Sequence, residues 1–212
     1  MNRTRLAALA GFAAASALVS LPIAEANAQP CSDVEVVFAR GTNEPPGVGM
    51  VGQGFVDALS SRVGGRSVGV YAVNYPASDN YLSSAAVGSD DAQAHIQNVI
   101  ASCPATKVVL GGYSQGAAVA DLATAVMPPQ TAEHVAAVTL FGTPSSGFSS
   151  MLAGGQPLPT TSPVYAAKTI DLCMDGDPIC SAGGNIMAHM SYVQSGMTDQ
   201  AATFAATKID QH

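Results

Sequence analysis

The chain has 212 residues, a formal net charge of −7, and only 11% charged side chains against 48% hydrophobic ones. With 8 Lys plus Arg against 15 Asp plus Glu, it offers polyanions little to bind, which argues against nucleic acid or anionic lipid headgroups as partners. Low charge and high apolar content indicate a compact, well-buried domain rather than a disordered or fibrous chain.

Arg3 and Arg5 precede an apolar run from Leu6 to Ile23, and Ala26-Asn27-Ala28 is a small-x-small cleavage site. Residues 1–28 are therefore expected to be a secretory signal peptide, and 29–212 the mature domain. The alternative is an uncleaved membrane anchor. An alanine-rich core that ends at Glu25, just before a cleavage signal, argues for removal. Cleavage would move the net charge from −7 to −8, because Arg3, Arg5 and Glu25 leave together. No later segment is long and apolar enough to span a bilayer. A secreted protein, extracellular or cell wall-associated, without stable membrane insertion is expected.

Past the cleavage site, Val34 to Ala39 reads as an apolar strand. Met50 to Ser61 places Val51, Phe55, Ala58 and Leu59 at helical spacing. Ser67 to Val73 is a second strand, bounded by Gly64-Gly65 and Asn74-Tyr75-Pro76. Ser89-Asp90-Asp91 supplies an N-cap and acidic first turn for a helix to about Ser102, stopped by Pro104. Lys107 to Gly111 is the third strand, and an alanine-rich helix runs from Gln115 to Ala125, ahead of Met127-Pro128-Pro129. His134 to Phe141 and Lys168 to Leu172 are the fourth and fifth strands. Pro144 to Pro163 is the most loop-like stretch. A final helix spans about Asp199 to Ile209. Apolar strands alternating with helices predict an α/β fold, a parallel sheet covered on both faces with its site at the strands' carboxyl ends.

Between the third strand and its helix lies Gly112-Tyr113-Ser114-Gln115-Gly116, a Gly-x-Ser-x-Gly at a strand-to-helix junction. Such an elbow lifts the serine hydroxyl clear of the sheet beside the positive helix end, and its tight turn demands glycine at 112 and 116. Ser114 is the candidate nucleophile. It needs a base, and the base needs an orienting acid. Of four histidines, His95 lies on a helix face, His134 opens a strand away from the site, and His212 is terminal. His189, in Ala188-His189-Met190-Ser191-Tyr192, remains as the base. Asp171 lies inside the fifth strand, where a structural role is the default. Asp177, followed by Pro178, is preferred over Asp175 as the acid, and the order Ser, Asp, His suits an α/β-hydrolase. The N–H of Gln115 and the N–H or hydroxyl of Thr42, after the first strand, are the candidate oxyanion donors.

Cys31, Cys103, Cys173 and Cys180 all lie in the exported part, and four cysteines allow three disulfide pairings. Short spacing favours Cys173–Cys180, leaving Cys31–Cys103. Zinc is the rival use of four cysteines, but the pairs lack a short ligand spacing at both ends. No metal or other cofactor is expected.

Ala39-Arg40-Gly41-Thr42, Gly112-Tyr113-Ser114-Gln115-Gly116, Gly176-Asp177-x-x-Cys180 and Ala188-His189 together resemble the cutinase family, most nearly the secreted cutinase-like proteins of mycobacteria. The resemblance covers essentially the whole mature chain. It implies a lidless, three-layer α/β-hydrolase with a central five-stranded parallel sheet. It further implies disulfides Cys31–Cys103 and Cys173–Cys180, a triad of Ser114, Asp177 and His189, and an oxyanion hole of Thr42 and Gln115. Fungal members carry serine where this chain has Thr42; the hydroxyl survives, and the added methyl bears on the width of the acyl site. The expected activity is hydrolysis of short to medium acyl esters of a lipid or polymer, by a monomer. Ile179, Ile186, Met187, Phe148 and Leu152 are candidates for an apolar rim. The alternatives are a polysaccharide deacetylase of the acetylxylan esterase type and a non-catalytic secreted binding or antigenic module.

Overall fold

The structure, a computed structural model, describes residues 30–212. The expected signal peptide lies outside the described residues. Five strands, β1 (Val34–Ala39), β2 (Val68–Ala72), β3 (Lys107–Tyr113), β4 (Val135–Phe141) and β5 (Thr169–Leu172), form one sheet in the order β2-β1-β3-β4-β5. Every neighbouring pair is parallel, so the chain crosses over through helices between strands.

Alternation along the strands builds two cores. Val37 and Ala39 of β1, Val108 and Leu110 of β3, and Val138 and Leu140 of β4 face one way. They pack on α2 (Tyr81–Ser102) and α3 (Gln115–Val126), through Ala85, Ala92, Ile96, Ala118 and Val119. Val36, Phe38, Val109 and Phe141 face the other way, against α1 (Gly49–Ser60) and α6 (Met197–Asp210). There Phe38, Phe55 and Phe141 meet with ring centroids 6.0 to 6.2 Å apart. Full burial of each such ring stabilises the fold by about 2–3 kcal/mol. Two covered faces explain why β1, β3 and β4 read as nearly unbroken apolar runs.

One boundary differs from the expectation. The helix predicted to start at Ser89 starts at Tyr81, and Ser89-Asp90-Asp91 lies inside it. Packing overrides the local cap signal. Ser84, Ala85, Gly88, Ser89 and Ala92 form a buried small-residue face, and a Cβ at Gly88 would lie 2.8 Å from Val119 of α3. Asp91 does not cap; it accepts from the Tyr71 hydroxyl and the Asn74 N–H, at 3.0 and 2.8 Å, tying α2 to β2. The loop-like stretch after β4 also contains a short helix, α4 (Gly147–Leu152), and His189 ends a one-turn helix, α5 (Ile186–His189).

Candidate active site

β3 ends at Tyr113 and α3 begins at Gln115, so Ser114 alone makes the turn. Its φ of 56° and ψ of −120° are strained for a residue with a Cβ. The flanking positions have no room for one. A Cβ at 112 would lie 2.0 Å from the Gly116 carbonyl oxygen, and one at 116 the same distance from that of Ala39. The second contact seats the start of α3 on the end of β1, beside the Arg40–Glu44 loop.

Two residues far along the chain, His189 and Asp177, converge on Ser114. His189 Nε2 lies 2.9 Å from the serine Oγ, and its Nδ1 lies 2.7 Å from Asp177 Oδ2. Asp177 is fully buried. Burial alone would raise its carboxyl, but hydrogen bonds from His189, from the Tyr192 hydroxyl and from the Ile179 N–H outweigh it and hold the group below its ordinary range. The carboxylate is thus charged and acceptor-only, so Nδ1 carries a proton and donates. Nε2 is left with its lone pair toward the serine O–H. A hydroxyl so placed loses its proton to the imidazole as it attacks an electrophile.

The loop carrying Asp177 is clipped by Cys173–Cys180, while Cys31–Cys103 joins the start of the domain to the end of α2. Both expected bridges form. Asp171 accepts from the Thr143 hydroxyl at 2.7 Å, the structural role expected of it. His95 stacks on Tyr71 and pairs with Glu35, away from Ser114. Among the described residues no group of three or more His, Cys, Asp or Glu is arranged to hold a metal ion.

A cleft of about 610 Å³ opens over the serine, lined by Thr42, Tyr81, Ser114 and His189 with an apolar wall that includes Phe148, Leu152, Ile179 and Ile186. Four of the five expected rim residues are there. Met187 is not; it is 62% exposed beside the cleft, while Met50 and Met190 line it. The first N–H groups of a helix have no intrahelical acceptor, so that of Gln115 is available at the start of α3. Its side chain is committed elsewhere, donating to the Ser78 carbonyl and accepting from Ser84. The loop bearing Thr42 is braced from beneath: buried Arg40 donates to the carbonyls of Glu44 and Tyr75, and the Glu44 carboxylate accepts from the N–H groups of Gly41 and Met50.

The family model described as Cutinase matches residues 30–209. The chain belongs to the cutinase family. It is 68% identical over 196 residues to the carboxylesterase Culp1 of Mycobacterium tuberculosis, covering 92% of this chain and 90% of that protein. It is 48% identical over 210 residues to the phospholipase Culp4 of the same organism, covering 94% and 89%. Among solved structures, a Trichoderma reesei cutinase bound to a phosphonate inhibitor superposes with a TM-score of 0.69 at 39% identity, covering 85% of this chain and 78% of that one. An acetylxylan esterase gives 0.73 at 25% identity, covering 85% and 100%. The chain is thus a cutinase-like serine ester hydrolase, which sets aside the non-catalytic module.

Within this family site, the residues overlooked in the sequence are those that brace it. Tyr113 donates to the His189 carbonyl at 2.6 Å and stacks on its ring at 4.9 Å. Tyr192 donates to Asp177. Both tyrosines read as core aromatics, and only their hydroxyl partners reveal more. Tyr192 had one signal: it stands three residues after His189, close enough in sequence to reach the same loop.

Proposed function

We propose that Ser114, His189 and Asp177 are a catalytic triad that cleaves carboxylic esters through an acyl-enzyme. His189 Nε2 takes the Ser114 proton as Oγ attacks the ester carbonyl, and Asp177 holds the Nδ1–H tautomer and the imidazolium. The tetrahedral oxyanion is met by the N–H of Gln115 and by Thr42. Collapse expels the alcohol, which takes the proton from His189. Water then enters, His189 deprotonates it, and its attack on the acyl-enzyme releases the acid and restores Ser114. The observation that carries this reading is the unbroken chain from Ser114 Oγ to Nε2 and from Nδ1 to a buried carboxylate, at 2.9 and 2.7 Å.

The substrates proposed are short to medium acyl esters. Met50, Phe148, Leu152, Ile186 and Met190 stay 44–54% exposed around the cleft, an apolar rim suited to an acyl chain and not to the hydroxyls of a polysaccharide. The acetylxylan esterase likeness keeps a deacetylase as the second reading. We also assign residues 1–28 to export, and action outside the cytoplasm as a monomer; the two disulfides support an oxidising compartment.

A fluorophosphonate probe should label the wild type and not Ser114→Ala, which should fold normally and lose at least about 10⁴-fold in turnover. An unlabelled wild type, or an active Ser114→Ala, would move the nucleophile elsewhere. Rates across p-nitrophenyl esters of increasing length should hold from acetate into medium chains; a collapse beyond acetate would select the deacetylase.

A further inference from the structure

The hydroxyl of Tyr192 has no task in the mechanism above, yet its surroundings define it closely. The residue is fully buried, and its ring stands near-perpendicular to Phe141 and His189 at 6.1 and 6.3 Å. The hydroxyl donates to Asp177 Oδ2 at 2.7 Å, the same oxygen that faces His189 Nδ1. On its other side it accepts the Met174 N–H at 3.1 Å, directly after β5 and inside the Cys173–Cys180 loop.

These contacts fix a direction. A carboxylate only accepts, so the single phenolic proton is committed to Asp177, and the lone pairs are left to the Met174 N–H. The Cys180 sulfur also lies 3.5 Å from this oxygen, but a disulfide sulfur carries no proton and is a far weaker acceptor than a carboxylate. A Cβ at Gly142, just past β4, would lie 3.0 Å from both the Tyr192 hydroxyl and His189 Cε1. Burial raises the Tyr192 hydroxyl far above any working pH, so it stays a donor. The other titratable groups around the dyad are already engaged. Tyr113 donates to the His189 carbonyl, Glu44 accepts from two backbone N–H groups, and Asp79, which also lines the cleft, accepts from the Asn43 side-chain amide.

We infer that Tyr192 is a positioning residue for the triad: its hydroxyl locks Asp177 in the rotamer that meets His189 and shares the negative charge of the oxygen they both contact. The inference rests on the triad assignment. It separates two tasks that a buried tyrosine combines. The ring fills the space between β4 and the loop, and a phenylalanine would do that equally. The oxygen acts through Asp177 on His189, which a phenylalanine cannot do.

Tyr192→Phe therefore tests it, with active sites counted by the fluorophosphonate probe so that only folded enzyme enters the rate. Expected is a fall of about tenfold in kcat on soluble p-nitrophenyl butyrate, the scale of one charge-assisted hydrogen bond, with KM unchanged. The acid limb of kcat/KM should move to higher pH, because a carboxylate that has lost a donor stabilises the imidazolium more strongly. Installing 3,5-difluorotyrosine at 192 keeps the ring and strengthens the donor, so the limb should move the opposite way. This variant also answers the question if Tyr192→Phe folds poorly. Wild-type kcat and an unmoved acid limb in Tyr192→Phe, or an unmoved limb with the fluorinated residue, would overturn the inference whatever happens to Tm. Failure of the wild type to take the probe would instead overturn the triad.

Discussion

Two aspartates are equally hidden from water and differ in almost everything else. Asp177 and Asp121 are 0% and 1% exposed. Asp177 receives the Ile179 N–H on one oxygen, and His189 and the Tyr192 hydroxyl on the other. Asp121, on α3, receives the Thr161 hydroxyl on one oxygen, and its Oδ2 has no hydrogen-bond partner among the described residues. Burial raises both groups. Three donors reverse it for Asp177; one donor cannot for Asp121, whose carboxyl is pushed up to about 7 with the charge of Asp171 adding to the effect. Donor supply, rather than depth, decides which buried carboxyl is a dependable anion.

The largest effect should come from spoiling the well-supplied site. Asp177→Asn keeps the shape but lets the amide donate toward Nδ1, which favours the tautomer with its proton on Nε2, facing Ser114. Turnover should fall by about 10⁴-fold, with circular dichroism unchanged. A loss under tenfold would mean that the carboxylate is not what orients His189.

The disulfides carry the same contrast between stability and geometry. Cys31–Cys103 closes a separation of 72 residues and Cys173–Cys180 one of 7. On chain entropy these are worth about 4 and about 2 kcal/mol. Replacing Cys31 and Cys103 by alanine should lower Tm more, yet leave kcat of the folded enzyme within about twofold. Replacing Cys173 and Cys180 should lower Tm less and kcat more, since that loop holds Asp177 and Met174 at Tyr192. Parallel losses of Tm and kcat in the two variants would deny the short bridge any role in geometry.

The sequence revealed the elbow, the strand order and the three residues that meet at the site, Ser114, His189 and Asp177, because each is written in local chemistry: glycines where a turn forbids a Cβ, apolar runs where both faces are covered, polar residues just past strand ends. The start of α2 was not legible, since Ser89-Asp90-Asp91 is a sound cap pattern and only the close approach of α3 to Gly88 shows that the helix passes straight through it. Tyr192 and Tyr113 were hidden for a related reason. A buried tyrosine and a buried phenylalanine give the same periodicity, and what distinguishes them is a hydroxyl partner brought from another segment. Met187 and Met190 show the limit at its smallest scale. One turn of α5 and the residue after it decide which methionine reaches the cleft.

Asp121 offers the smallest and most diagnostic test of the comparison. A carboxyl whose folded value of about 7 lies above its ordinary value of 3.8 favours the folded state only while protonated. Its contribution is complete below the unfolded value and is lost as pH rises through the window from about 4 to about 7, the reverse of Asp177, whose contribution is lost as pH falls. The full span corresponds to about 4 kcal/mol. Asp121→Asn removes the charge but brings an amide N–H₂ that also needs partners, so the net gain at pH 8 should be nearer 2 kcal/mol, fading toward pH 4. Urea melts of both proteins at the two pH values measure it. Activity should stay close to wild type, because Asp121 touches neither Ser114 nor His189 and its carboxyl accepts from the Thr161 hydroxyl, in the loop before β5. Equal destabilisation of Asp121→Asn at both pH values would mean that Asp121 is held as an anion after all, and that one donor suffices where three were thought necessary.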